Sequence, residues 1–224
     1  MYTLIIANKN YSSWSLRAWL ALRAAGIAFE EKRLNLDTPE FAPQLKGLAP
    51  AGKVPCLIDD GFSVWDSLAI CEYAAERHPQ AGLWPADPRA RARARSLAAQ
   101  MHSGFGDLRR LMPMNIEAHL PGIDVTEARQ DIAQVQALWR DTRAEFGRGG
   151  PFPAGPFLFG KFSIADAFYA PIVSRFTTYG IAAEGAAREY MDAILALPAM
   201  QEWTRDALAE GLWVAQDEPY RTQR

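Results

Sequence analysis

The chain has 224 residues, which suits one large domain or two small ones and allows a sizeable buried core. Hydrophobic residues make up 49% of the chain and charged residues 22%, with a formal net charge of −2. This balance argues against binding to nucleic acid or to an anionic membrane, and no apolar stretch nears the roughly 18 residues of a membrane span.

The amino terminus, the cysteines and the histidines indicate the cell compartment of the protein and whether it binds a metal. Residues 1–7 enter a strand-like run without the basic region or cleavage site of a signal peptide, so we expect a cytoplasmic protein. Cys56 and Cys71 lie in apolar contexts and form neither a redox pair nor a zinc pattern, so we interpret both as reduced core residues. The three histidines share no metal-ligand spacing, and no metal site is expected.

The first 80 residues combine strand and helix patterns. An apolar run, an amphipathic segment ended by Gly26 and a weaker apolar run predict a βαβ unit with parallel strands. Asp59-Asp60-Gly61 predicts a hairpin turn between two further strands. The predicted elements are strands at 3–7, 29–35, 54–58 and 62–65, and helices at 13–25, 38–46 and 67–77.

The second part of the chain has a different pattern of residues. Residues 78–88 contain three prolines and a glycine, which is typical of a connection. Beyond it the pattern predicts helices only, near 88–112, 124–146, 163–179, 187–196 and 199–210. We therefore predict an α/β domain over residues 1–80, a linker over 81–88 and an all-helical domain over 89–224.

Four short motifs accompany this order of elements. They are Ser-Ser-Trp-Ser-Leu-Arg at 12–17, Ala-Gly-Lys-Val-Pro-Cys at 51–56, Asp-Ser-Leu-Ala-Ile-Cys-Glu-Tyr at 66–73 and Ser-Ile-Ala-Asp at 163–166. Together they resemble the cytosolic glutathione S-transferase family, in particular its serine-type theta and zeta members. The resemblance implies a thioredoxin-like domain that binds glutathione as co-substrate, an all-helical domain for the second substrate, and a homodimer.

The serines at the start of the first predicted helix suit thiol activation. A thiol with a pKa of about 8.5 is a poor nucleophile until it ionises. A hydroxyl that donates to the sulfur contributes about 1.5–3 kcal/mol, which lowers the thiol pKa by about one to two units. The resemblance selects Ser12 as this donor, with Ser13 and Tyr11 as fallbacks. The alternative is that a serine only caps the helix.

Five further residues are assigned to glutathione by the resemblance. Val54 and Pro55 resemble the family's cis-proline turn, which implies that the main chain of Val54 pairs with the cysteinyl part. Lys53 would attract the glycyl carboxylate, although a solvated lysine is an equal alternative. Ser67 would bind the γ-glutamyl carboxylate at a helix start and Asp66 the ammonium group, although the pair is also an ordinary helix cap.

The second-substrate pocket and a structural motif complete the candidate residues. Ser163 and Asp166 form the pattern of a capping box, which we interpret as structural. The residues assigned to the pocket are apolar or basic, and they lie in the first predicted helix of the α/β domain and the first predicted helix of the helical domain. The alternative is that these residues are core residues and solvated charges. They are Trp14, Met101, His102, Phe105, Arg109 and Met112.

Three functions fit these residues. The first is a glutathione transferase acting on small hydrophobic electrophiles or organic hydroperoxides. The second is a non-catalytic ligand- or protein-binding member of the same fold. The third is a glutathione-dependent isomerase of the zeta type. Trp14 argues against this function, because zeta enzymes carry a cysteine at that position.

Overall fold

The computed structural model describes all 224 residues and contains one four-stranded mixed sheet. Its strands are β1 (Tyr2–Ile6), β2 (Phe29–Arg33), β3 (Cys56–Asp59) and β4 (Phe62–Trp65), in the order β2-β1-β3-β4. β1 runs parallel to β2 and antiparallel to β3, and the β3–β4 pair forms a hairpin. β3 begins at Cys56 rather than at residue 54, because Pro55 has no N–H to donate to a ladder.

Both faces of this sheet are covered. Helices α1 (Ser13–Ala24) and α3 (Ser67–Arg77) pack together against the face that carries Leu4 and Ile6. The short helix α2 (Phe41–Leu45) covers the opposite face, where Leu45 packs against Ile5. Alternate residues of β1 therefore serve two separate clusters, as the period of two in a strand requires. This arrangement confirms the predicted thioredoxin-like fold.

The remaining elements are helical. They are α4 (Pro88–Ser103), α5 (Gly106–Leu111), α6 (Arg129–Thr142), α7 (Ile164–Thr178), α8 (Gly185–Ala196) and α9 (Pro198–Ala209). α7 is buried along nearly its whole length and contacts α1, α4 and α8. One continuous hydrophobic core consequently joins the sheet, its helices and the helical part. None of the helices combines the length and the hydropathy needed to cross a bilayer.

Three predicted helices are markedly shorter in the structure, and the one predicted over 38–46 is reduced to α2 (Phe41–Leu45). The helix predicted over 88–112 is broken into α4 and α5 at Gly104 and Phe105. A Cβ on Gly104 would lie 2.7 Å from the Gln100 carbonyl oxygen, and Phe105 adopts a left-handed φ of 56°. The helix predicted over 124–146 begins only at Arg129, and its regular turns end at Thr142, followed by a wider turn.

The start of α7 is held by a buried carboxylate. One oxygen of Asp166 accepts the backbone N–H of Ser163 at 2.8 Å and the Ser163 hydroxyl at 2.9 Å. The other oxygen accepts the N–H of Leu158 at 3.1 Å, so the preceding loop is tied to the helix. Burial raises the pKa of Asp166 to about 6 despite these donors. The geometry is that of a structural cap.

We predict that Ser163→Ala lowers the free energy of unfolding by about 0.5–2 kcal/mol, as expected for loss of a helix cap. Urea denaturation followed by circular dichroism measures this change. Ser96→Ala, at an exposed position within α4, is the matched control and should change stability by less than about 0.5 kcal/mol. Equal effects of the two substitutions would contradict the structural role of the cap.

Candidate functional site

Three consecutive hydroxyl residues occupy the turn between β1 and α1, and each has its own partner. The Tyr11 hydroxyl donates to the Glu218 carboxylate at 2.7 Å and lies 3.3 Å from the Leu212 carbonyl. Ser13 accepts a hydrogen bond from the Arg175 guanidinium at 3.3 Å. The first and third hydroxyls are therefore engaged by residues from late in the chain, and only Ser12 is held locally.

Ser12 is the N-cap of α1. Its oxygen accepts the backbone N–H of Ser15 at 3.3 Å, and its hydroxyl donates to the Ser15 hydroxyl at 2.8 Å. The Ser15 oxygen in turn accepts the N–H of Ala7 at 3.1 Å. Because a hydroxyl both donates and accepts, the bond between the two serines can reverse its direction. Ser15 then donates to Ser12, and the Ser12 proton becomes free for a ligand.

Ser12 contributes to the wall of the larger of two adjoining recesses, a cleft of about 710 Å³. Residues from the β1–α1 turn, the loop before β3, the region of α5, α7 and the carboxyl-terminal segment meet in this wall. Among them are Ser13, Trp14, Lys53, Val54, Arg109, Arg110, Pro113, Met114, Arg175 and Asp217. Its volume falls in the range of small-molecule sites.

The smaller recess, about 340 Å³, lies at the start of α3. It shares Trp14, Lys53 and Val54 with the cleft. The peptide bond between Val54 and Pro55 is cis. Asp66 caps α3 with a φ of 72° and accepts the N–H of Leu68 at 2.8 Å. The recess thus combines a helix amino terminus with a bend in the main chain.

Two polar side chains in the smaller recess make the site more specific. The Ser67 hydroxyl is buried and has no hydrogen-bond partner within the chain. His102, from α4, places its Nε2 atom 3.4 Å from the Asp66 carboxylate and its ring against the edge of Trp14. A free hydroxyl beside the N–H groups of a helix start is suited to a carboxylate ligand.

The wall of the cleft is strongly cationic. Arg175 is only 4% exposed; it donates to the Met112 carbonyl at 2.6 Å and forms no ion pair, and burial lowers its pKa to about 10. Arg109 donates to backbone carbonyls alone, and burial lowers its pKa as well. Arg110, by contrast, is paired with two carboxylates. The one acidic residue in the wall is Asp217, whose pKa burial raises to about 6.

A further guanidinium lies behind this wall. Arg17 is fully buried, and two of its nitrogens have no hydrogen-bond partner. It stacks 4.2 Å from the Trp14 ring centre and 5.1 Å from that of Phe168. Burial, together with the neighbouring cations Arg175 and Arg109, lowers its pKa to about 9. Trp14 is therefore flanked by two cations, since Arg109 lies 4.9 Å from its ring centre.

The residues predicted to bind glutathione all line one recess or the other, although their roles stay predictions. They are Ser12, Lys53, Val54, Pro55, Asp66 and Ser67. Trp14, His102 and Arg109 of the predicted second pocket also line these recesses.

The other three residues predicted for the second pocket lie elsewhere, and their role in it stays a prediction. Met101, Phe105 and Met112 belong to the hydrophobic core and line neither recess. The break between α4 and α5 changes the helix face on which Phe105 and Met112 would otherwise have lain.

The wall residues that sequence reasoning missed include Arg175 and Asp217. Arg175 had a usable signal, because it and Asp166 are the only charges within the apolar segment 164–178. A cation in a buried helix indicates a polar partner or a ligand. Asp217 had no such signal, because its position depends on the path of the carboxyl-terminal segment.

Comparisons with known proteins identify a family model and several sequences that are similar to this chain. The family model described as "Glutathione S-transferase, N-terminal domain" matches residues 11–77. A probable maleylacetoacetate isomerase of Caenorhabditis elegans is 38% identical over 46% of this chain and 48% of its own length. The Rattus norvegicus maleylacetoacetate isomerase is 37% identical over 44% and 46%. The chain thus spans about half the length of these isomerases.

Solved structures share the fold over nearly the whole chain. A glutathione transferase homologue from Burkholderia, crystallised with bound glutathione, is 24% identical with a TM-score of 0.66, covering 92% of this chain and 97% of that one. A tau-class glutathione S-transferase from mango is 20% identical with a TM-score of 0.68, covering 93% and 96%.

A sequence relative covers most of the chain: glutathione S-transferase 1 of Dianthus caryophyllus is 30% identical over 76% of each chain. The chain belongs to the glutathione S-transferase family.

Proposed function

We propose that this protein is a glutathione-dependent transferase in which the Ser12 hydroxyl holds the glutathione sulfur as a thiolate. The observation that supports this most directly is the position of Ser12: its hydroxyl lies at the amino terminus of α1 in the wall of the cleft. Residues 1–80 would bind glutathione, and residues 89–224 would supply most of the wall around the electrophile.

Glutathione would extend from the smaller recess into the cleft. Ser67 and the start of α3 would receive the γ-glutamyl carboxylate, and Asp66 would face its ammonium group. Val54 would pair with the cysteinyl main chain; its own N–H and C=O take no part in backbone hydrogen bonds. Lys53, which lines both recesses, would lie near the glycyl carboxylate.

The sulfur would then lie near Ser12. With Ser15 donating to Ser12, the Ser12 proton would point to the sulfur and favour its charged form. The helix dipole of α1 adds about 0.3–1 kcal/mol in the same direction. A thiol that is a minority thiolate in solution would become largely ionised at neutral pH, ready to attack an electrophile held in the cleft.

We predict that Ser12→Ala raises the pKa of the bound glutathione thiol by about one to two units. The thiolate absorbance of the complex, titrated with pH, measures this change, while calorimetry should show glutathione binding retained. Conjugation at neutral pH should fall by about tenfold or more.

The matched substitution is Ser13→Ala, which removes a hydroxyl that accepts from Arg175. It should leave the thiol pKa nearly unchanged. A larger effect of Ser13→Ala or Tyr11→Phe than of Ser12→Ala would transfer the role of sulfur donor to that residue. Glutathione binding without turnover of any electrophile or hydroperoxide in the unmodified protein would instead favour the non-catalytic alternative.

A second candidate function is isomerisation of an acidic substrate with glutathione as co-substrate. The cationic wall favours it, because Arg109 and Arg175 have no carboxylate partner. The partial similarity to maleylacetoacetate isomerases points the same way, since maleylacetoacetate carries carboxylates. The tryptophan at position 14 stands against a zeta-type mechanism, because zeta members carry cysteine there.

We predict that Arg109→Gln raises KM for maleylacetoacetate by about tenfold or more if this acid is a substrate, since a charge-assisted hydrogen bond contributes about 1.5–3 kcal/mol. Arg110→Gln should have a smaller effect, because the Arg110 charge is already paired with Asp107 and Glu127. Steady-state kinetics with the acid and with a neutral aryl halide separates the two functions. Equal effects on the neutral and acidic substrates would contradict a role in charge recognition.

We also propose that the protein forms a homodimer through β4. Phe62 is 64% exposed and Trp65 45% exposed on this edge strand. Large exposed aromatic side chains on one strand are typical of an interface.

We predict that Phe62→Glu shifts the protein from dimer to monomer in sedimentation velocity. Leu208→Glu is the control, because Leu208 is similarly exposed at 49% but lies on α9. An unmodified protein that sediments as a monomer at high concentration would refute the proposed dimer.

A further inference from the structure

The carboxyl-terminal segment contacts the turn that carries Ser12. We call residues 210–221, which follow α9, the C-terminal strap. Its first residue, Glu210, has a side chain that is only 1% exposed and forms an ion pair with Arg33 at 3.1 Å. The two carboxylate oxygens of Glu210 accept hydrogen bonds from the backbone N–H groups of Lys9 at 2.6 Å and Asn10 at 3.3 Å. One carboxylate from 200 positions away therefore satisfies two consecutive main-chain donors of the turn.

Glu218 makes the second attachment. Its carboxylate accepts from the Tyr11 hydroxyl at 2.7 Å and from the Asn115 amide at 2.8 Å, and it is paired with Arg221. Burial by itself would raise the pKa of Glu218, but these three donors keep it below its usual value. Burial and the carboxylate raise the pKa of Tyr11 to about 12. The Tyr11 proton is thus committed to the strap.

The helical part completes the clamp on the same turn. The Trp203 indole donates to the Lys9 carbonyl at 2.9 Å, and the Lys9 ammonium lies 2.7 Å from Asp206. Asn10 donates from its side chain to Asn115 at 3.1 Å. Each of residues 9, 10 and 11 is therefore fixed through atoms that belong to distant parts of the chain.

The position of Ser12 follows from these contacts. The N–H of Ser12 donates to the Asn8 carbonyl at 2.8 Å, and the N–H of Tyr11 to the same oxygen at 3.2 Å, so the turn is tight. Any shift of residues 9–11 is passed directly to Ser12. A hydrogen bond to a sulfur weakens steeply with distance and angle, so the thiolate is sensitive to small displacements of this turn.

We propose that Glu210 and Glu218 are positioning residues for the sulfur-binding hydroxyl, and that the strap is part of the active site. They act through the turn and do not touch the reacting atoms. The thiolate part of this inference rests on the proposed function of Ser12. The clamp itself is independent of any ligand, so it is testable by itself.

The test compares three glutamate-to-glutamine variants of nearly equal size. Glu218→Gln and Glu210→Gln remove the charge from each attachment, and the glutamine at 210 has only one oxygen left to accept. Glu202→Gln is the matched control: Glu202 also links α9 to the first part of the chain, through Arg23 at the far end of α1, where the pair is more exposed.

The first measurement is amide hydrogen exchange in the free protein. The amides of residues 9–12 should exchange about tenfold faster in both strap variants, as expected for a local opening that becomes easier. Amides in α7 should be unchanged, and Glu202→Gln should leave the turn unchanged. Unaltered exchange in the turn, or acceleration in α7 by the same factor, overturns the inference, because the strap would then contribute only to general stability.

The second measurement is the pKa of the thiol in the glutathione complex. Both strap variants should raise it by about one unit, with the glutathione Kd changed less than threefold, roughly. A raised Kd with an unchanged thiol pKa would overturn the positioning role.

The two failures are distinguishable. If the unmodified protein does not lower the thiol pKa, the proposed function fails, and the exchange data alone decide whether the strap positions the turn. If Glu218→Gln does not fold, Tyr11→Phe removes the same hydrogen bond from the other side, and exchange in its turn should again accelerate while α7 stays protected.

Discussion

The position of the Ser12 hydroxyl is set by the residue at which α1 begins. As N-cap, Ser12 accepts from Ser15, and Ser15 accepts from Ala7 at the end of β1. These bonds connect the strand to the helix and put a rotatable hydroxyl at the positive end of the helix dipole. The cleft, its cationic wall and the C-terminal strap matter for the chemistry because they adjoin the turn that carries this oxygen.

The electrostatics around the site are unusual for a buried region. Arg17, Arg109 and Arg175 have no carboxylate partner, and burying unpaired cations is unfavourable. The faces of Trp14 and Phe168 offset part of this cost for Arg17. A negatively charged ligand would offset more of it. The same positive potential would stabilise a thiolate and attract an acidic second substrate, so it is compatible with both candidate functions.

The two parts of the molecule do not behave as separate bodies. α7 packs against α1, and one hydrophobic core runs through both parts. The turn after β1 is held by Glu210, Glu218 and Trp203, whose bonds would all break if the parts separated. The candidate site lies at this junction, where the backbone N–H groups of Lys9 and Asn10 find their acceptor in Glu210 rather than within the turn.

The amino-acid sequence by itself determined the fold class and the local part of the site. Periodicity placed the strands and the two long helices of the first part within about two residues, because those patterns are local, but the short helix predicted from residue 38 begins only at Phe41. The motif around Ser12 and that around Asp66 placed both residues at helix starts, since capping depends on neighbours in the chain. Helix lengths beyond residue 88 were less certain: a single left-handed residue, Phe105, ended a helix that composition alone would have continued.

Only the tertiary structure decided what surrounds the hydroxyls. Arg175 carries a signal in the sequence, but its direction into the cleft depends on the packing of α7. Glu210 and Glu218 resemble ordinary surface acids until the strap brings them against the turn. Their role depends on contacts between groups about 200 positions apart. Local propensity does not encode such contacts, because they form only when the shared core closes.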